Sequence, residues 1–118
     1  MNIETIVIAW LASIAGNDYP VSSEMPDPRP ESFILVDRTG GPREAMVLDR
    51  AEILIEIYHK DSRLEASNKA NQIADLVPQL MAYDHNITRA AVNSVVSLDD
   101  TLGQYRRYQV YCDVYYRR

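Results

Sequence analysis

Few side chains in this 118-residue chain have the chemistry to break or transfer a bond. There are two histidines, His59 and His85, and one cysteine, Cys112. A metal centre needs His, Cys or carboxylate groups that converge, and the chain has no HExxH, CxxC or His-x-His spacing. His59 precedes Lys60-Asp61 and His85 follows Asp84, so both read as solvated turn residues. A nucleophilic cysteine needs a nearby base and an electropositive setting. Cys112 instead alternates with Val110 and Val114, where a free thiol serves as a small hydrophobe. Asp99-Asp100 supplies two carboxylates, but adjacent side chains diverge, and the following Thr-Leu-Gly marks a turn. Gly40-Gly41 follows an apolar run as a phosphate loop would, yet it lacks the Lys-Ser/Thr and the helix start that would hold the anion. The expectation is a protein that is not an enzyme, with no catalytic, cofactor-binding or metal-binding residue.

Contact chemistry is better supplied. The chain has eight tyrosines, and Tyr and Arg favour interface cores because they combine large area with a polar handle. Tyr105-Arg106-Arg107-Tyr108 and Tyr115-Tyr116-Arg117-Arg118 interleave rings and cations, as single-strand binders do. The formal net charge of −5 argues against that use, since gripping phosphates requires a wider basic patch. With a single cysteine no intrachain disulfide forms, which fits a reducing compartment. The apolar run from Ile3 to Ala15 is too short to span a bilayer, and with Glu4 and no basic leader it makes a poor signal peptide.

These residues have to be positioned by regular elements. Ile3, Ile6, Val7, Trp10, Leu11 and Ile14 recur at helical spacing, with Asn2 as a cap and Gly16 as a stop. Residues 17–32 carry Pro20, Pro26, Pro28 and Pro30 and read as an irregular arm, either a surface connection or a segment that orders against a neighbouring subunit. Phe33 to Asp37 is a short strand, Arg38 to Pro42 a turn, and Ala45 to Leu48 the return strand of a hairpin. Asp49-Arg50 reads as a break before a third strand, Ala51 to His59, whose Ile53, Ile55 and Ile57 share one face. A second helix starts at Asp61 or Ser62, with Ala66, Ala70, Ile73, Ala74, Val77 and Met81 on its apolar face, Leu76 and Leu80 broadening that face, and Pro78 kinking or ending it. Strands over Ile87 to Leu98 and Gln104 to Tyr116 close the chain as a hairpin. The order α-β-β-β-α-β-β predicts one α+β domain over 1–118, an antiparallel sheet of about five strands with two helices packed on one face.

Phe33 to Gly41 reads Phe-Ile-Leu-Val-Asp-Arg-Thr-Gly-Gly, and Val47 to Ile57 is a strand entered through an Asp. With the leading helix, the Pro-rich arm, the Ala66/Ala70/Ile73 helix and the closing strand from Arg107-Tyr108-Gln109-Val110, this resembles the tail terminator proteins of long-tailed bacteriophages and prophages. The resemblance implies a homo-oligomer, a hexameric ring at the head-proximal end of the tail, formed in the host cytoplasm and carried in the virion. Such a ring ends polymerisation of the tail tube protein and offers a surface to the head–tail connector protein. DNA would pass through its lumen without specific binding, which an acidic chain favours. No membrane is involved. The expected subunit or tube contacts are Arg38, Arg43, Glu44 and Arg50 around the hairpin, and Tyr105, Tyr111 and Tyr115 on the last strand. A head-completion or connector-stopper neck protein is the second reading, and a small ligand-binding or enzymatic domain the third.

Overall fold

The computed structural model describes residues 2–41, 48–100 and 104–117. In chain order the elements are α1 (Ile3–Ile14), β1 (Val21–Ser22), β2 (Ser32–Gly40), β3 (Leu48–His59), α2 (Arg63–Leu76), a 3₁₀ turn (Val77–Gln79), α3 (Leu80–Tyr83), β4 (Ile87–Ser97) and β5 (Arg106–Arg117). The five strands form one sheet in the order β1-β2-β3-β5-β4. The α+β class and the single helix-bearing face are as expected. The pairing is mixed rather than purely antiparallel, because β1 runs parallel to β2 through Val21↔Ile34 and Ser22↔Leu35.

Alternation along the long strands sets the layers. Ile34 and Val36 of β2, Ile53, Ile55 and Ile57 of β3, and Val110, Cys112 and Val114 of β5 are buried in one cluster with Ile3, Val7, Trp10 and Leu11 of α1 and Ala70 and Ile73 of α2. Their sequence neighbours, such as Phe33, Leu54, Tyr58 and Tyr111, point to the opposite, uncovered face. α2 spans from β3 to the edge strand β4, and β5 fills the slot between them.

Local signals place the helices. Asn2 Oδ1 accepts from the Thr5 amide at 3.3 Å, and Ser62 Oγ accepts from the Glu65 amide at 3.1 Å, which selects Ser62 over Asp61 as the α2 cap. Gly16 has φ +86°, a left-handed conformation that suits the end of α1. Lys69 Nζ reaches across to the Ala15 carbonyl at 3.1 Å and satisfies one of α1's terminal acceptors.

Two expectations are corrected, while the arm takes the surface-connection form, one of its two alternatives. The strand expected at Ala45 to Leu48 and that at Ala51 to His59 do not stand apart at Asp49-Arg50. β3 runs unbroken from Leu48, with Asp49 opposite Tyr116 and Arg50 opposite Tyr115, while 45–47 lie outside the described residues. The Pro-rich arm is tied to its own sheet at both ends: Pro20 O accepts from the Ile34 amide, Ser32 Oγ donates to the Asp18 carbonyl, and the Lys60 amide donates to Glu31 O. Most of the arm is nonetheless exposed, Asn17, Asp18, Pro20 and Glu31 as well as 23–25 and 27–29.

The second correction concerns Met81, which is 47% exposed, while Leu80 is fully buried. Pro78 ends α2 at Leu76 and forces a 3₁₀ turn. That turn rotates about 120° per residue rather than about 100°, so three steps carry the following residues some 60° around the axis. Leu80 then falls in line with Val77, and Met81 swings out. Leu80→Ala should therefore cost about 3 kcal/mol in a denaturant titration and Met81→Ala less than about 0.5 kcal/mol. Equal costs would contradict this rotation.

Candidate functional site

The chemistry-bearing residues do not converge. His59 and His85 lie at opposite ends of β5, beside Arg106 and Arg117 respectively. His59 Nδ1 accepts from the amides of Asp61 and Ser62 at 3.3 and 3.1 Å, so the ring shapes the turn into α2. Cys112 is buried, and burial together with the negative charge of Asp113 pushes its thiol up to about 12. It stays protonated at neutral pH, with Sγ 3.6 Å from the Ile53 carbonyl. Asp99 pairs with Arg106 at 2.9 Å and Asp100 with Arg29 at 2.8 Å. Gly41 has φ +120°, and a Cβ there would meet the Arg50 carbonyl at 2.1 Å, so the glycine serves close strand approach. Among the described residues no group of three or more His, Cys, Asp or Glu is placed to hold a metal ion, and no helix is long and apolar enough to cross a membrane.

What the structure does assemble is the uncovered sheet face. At one end Phe33 stacks on Tyr58 with centroids 4.5 Å apart, and Tyr105 meets both edge-on at 5.5 and 6.2 Å. The Tyr105 hydroxyl donates to the Pro30 carbonyl at 2.7 Å, and the Arg29 guanidinium lies 5.4 Å from the Tyr105 ring centroid. The end of the arm is thus fastened over an aromatic cluster. Tyr105 is buried at 6% exposure, which removes it as an exposed contact: its ring and hydroxyl are engaged within its own chain. Burial chiefly raises the Tyr58 phenol above its usual range, with the hydrogen bond from Arg107 opposing, so it remains neutral.

The centre of the face is a polar relay across strands. Arg107 pairs with Glu56 at 3.3 Å, Gln109 Nε2 donates to the same carboxylate at 3.1 Å, and the Tyr111 hydroxyl donates to Gln109 Oε1 at 3.3 Å. Towards the other end Arg50 sits 4.0 Å from both Glu52 and Asp113, and Arg89 lies 5.7 Å from the Tyr115 ring centroid. Tyr111 and Tyr115 are half-buried and keep a surface towards solvent.

Of the expected contacts, Arg50, Tyr111 and Tyr115 therefore share this face, with Arg50 directly opposite Tyr115. Arg38 lies on the helix side at the hairpin end, where it donates to Tyr116 Oη at 3.2 Å and to the Gly40 carbonyl at 3.2 Å. Arg43 and Glu44 lie outside the described residues. The sequence reading passed over Val95, Val96 and Leu98, which are 38, 41 and 50% exposed beside one another at the end of β4. Their signal was an apolar run with no charge, readable only once β4 is known to be an edge.

No protein-family model matches the chain, and no curated protein does. A solved structure described as the virion of a native gene transfer agent (GTA) particle contains a chain of similar fold. The two superpose with a TM-score of 0.66 at 11% identity, over 93% of this chain and 86% of that one. The likeness establishes the fold.

The divided fates of the tyrosines can be measured. Tyr105→Ala should cost about 3 kcal/mol of stability, and Tyr111→Ala less than about 1 kcal/mol, by chemical denaturation. A Tyr111→Ala cost as large as that of Tyr105→Ala would place Tyr111 in the fold rather than on a free surface.

Proposed function

We propose that this chain is a structural virion protein without catalytic activity, which assembles with its own copies into a ring that caps the phage tail tube. The ring ends tube polymerisation and presents the surface for joining the head. The observation that carries this reading is the fold shared, over nearly the whole chain, with a chain of a gene transfer agent virion. The resemblance of the strand motifs around Phe33–Gly41 and Val47–Ile57 to tail terminators supports the finer role.

The physics of the surface suits it. A sheet face free of helices, with half-buried Tyr111 and Tyr115 and ordered Arg50, offers contact area whose side chains are already held, Tyr111 by Gln109 on its own strand, Arg50 by Asp113 and Tyr115 by Arg89 across strands. Such preordering lowers the entropy lost on association. The net charge of −5 favours a lumen through which DNA slides, because like charge opposes counterion-releasing contacts. In this role the protein sits in the virion at the head-proximal end of the tail, against the tail tube and the head–tail connector.

Deleting the gene from the parent particle tests the role, with electron microscopy of the lysate. Tail tubes of uncontrolled length are expected. Tails of normal length alongside full, tailless heads would favour a neck protein instead, and intact particles would contradict both.

A further inference from the structure

Among the described residues the sheet has two edges that are open over part of their length. β4 is the outer strand on one side, and all its described ladder pairs are with β5. Beyond Val92, residues 93–98 are all exposed, and Arg63 of α2 reaches the strand through a hydrogen bond to Ser97 Oγ at 2.8 Å. From Ala90 to Leu98 it carries no charged residue and no proline. Folded chains commonly guard an edge with Lys, Pro, a bulge or a very short strand, because unpaired N–H and C=O groups recruit another strand. The bulge at Asn93 is the one such device on this stretch, and Val95, Val96 and Leu98 add exposed apolar area beside it.

On the opposite side the guard is incomplete. β1 pairs with β2 only at Ile34 and Leu35. From Val36 to Gly40 the described ladder pairs of β2 are all with β3. Asp37 and Thr39 on this stretch are exposed.

The two open stretches lie on the same rows of the sheet. Val36 pairs with Ile55, Ile55 with Val110, and Val110 with Val95. The next row runs Asp37, Leu54, Tyr111, Ser94, and the one after it Arg38, Ile53, Cys112, Val92. Three successive antiparallel steps separate β2 from β4, so the two strands run in opposite directions. A second copy displaced along the sheet therefore brings its β2 edge level with β4 of the first, in the sense that antiparallel pairing requires. Neither copy has to turn over, and the helices stay on one side. That contact is head-to-tail and uses two different surfaces, the kind that generates a closed ring when each step adds the same rotation.

We infer that copies of this chain join by strand addition, with Val92–Ser97 of one copy pairing antiparallel to Val36–Gly40 of the next, so that the sheet continues from subunit to subunit. The occupant of each edge is another copy of this chain, because displacement along the sheet brings the two edges level and antiparallel without turning either copy over. The inference rests on the ring reading above and specifies how the ring is held.

Amide hydrogen exchange on the purified protein alone tests it, comparing dilute monomer with the concentrated state that light scattering reports as assembled. Amides within 93–97 and 36–40 should exchange at least about tenfold more slowly on assembly, since outward N–H groups gain partners. Interior rows such as Ile55 and Val110, already paired on both sides, should change little. An assembled state whose new protection falls on α1, α2 or the uncovered face, with both edges exchanging as in the monomer, overturns the strand addition. So does a chain that remains monomeric at millimolar concentration. The ring role itself stands or falls separately, on tail length in the deletion strain.

Discussion

The register of β3 against β5 is the constraint from which the rest follows. The two strands pair residue for residue from Leu48↔Arg117 to His59↔Arg106 without a bulge. This puts Ile53, Ile55 and Ile57 together with Cys112, Val110 and Tyr108 towards the helices, and Leu54, Glu56 and Tyr58 together with Tyr111, Gln109 and Arg107 away from them. A slip of β5 by one residue would turn its two faces over and bury Arg107 and Gln109 among aliphatic side chains. Because the helices can cover only the apolar set, the fold leaves a polar and aromatic face uncovered.

That uncovered face is ordered by its own chemistry. Glu56 collects Arg107 and Gln109, and Gln109 in turn holds Tyr111. The aromatic cluster of Phe33, Tyr58 and Tyr105 accepts the end of the arm through Pro30 and Arg29. These side chains are held by their own chain, so under the proposed function a partner docking here would lose less entropy in ordering them. Cys112 belongs to the other face, where burial keeps the thiol protonated and makes it part of the packing.

Much of this was legible in the sequence, for physical reasons that can be named. Period-two alternation in β3 and β5 is long enough to identify both faces, and Asn2, Gly16, Ser62 and Pro78 are local signals whose effect does not depend on the rest of the chain. Features that depend on a distant partner were hidden. Val21–Ser22 is too short for any periodicity, and its strand exists because β2 offers an edge. Asp49-Arg50 looks like a break until β5 supplies Tyr116 and Tyr115 opposite it. Alternation put Tyr105 on the correct face, yet nothing local says that the arm folds back to cover it. Met81 was misplaced because a proline announces a kink without announcing its angle.

A main core on the helix side, a smaller aromatic cluster under the end of the arm and two edge stretches on the same rows fit the subunit we propose, one that its own copies continue. Electron microscopy of the concentrated protein, with its mass from light scattering, tests that most directly. The account predicts a closed ring near six times the 13.5 kDa chain mass, every subunit presenting the same side to the lumen. A two-fold dimer that pairs like surface with like would contradict it.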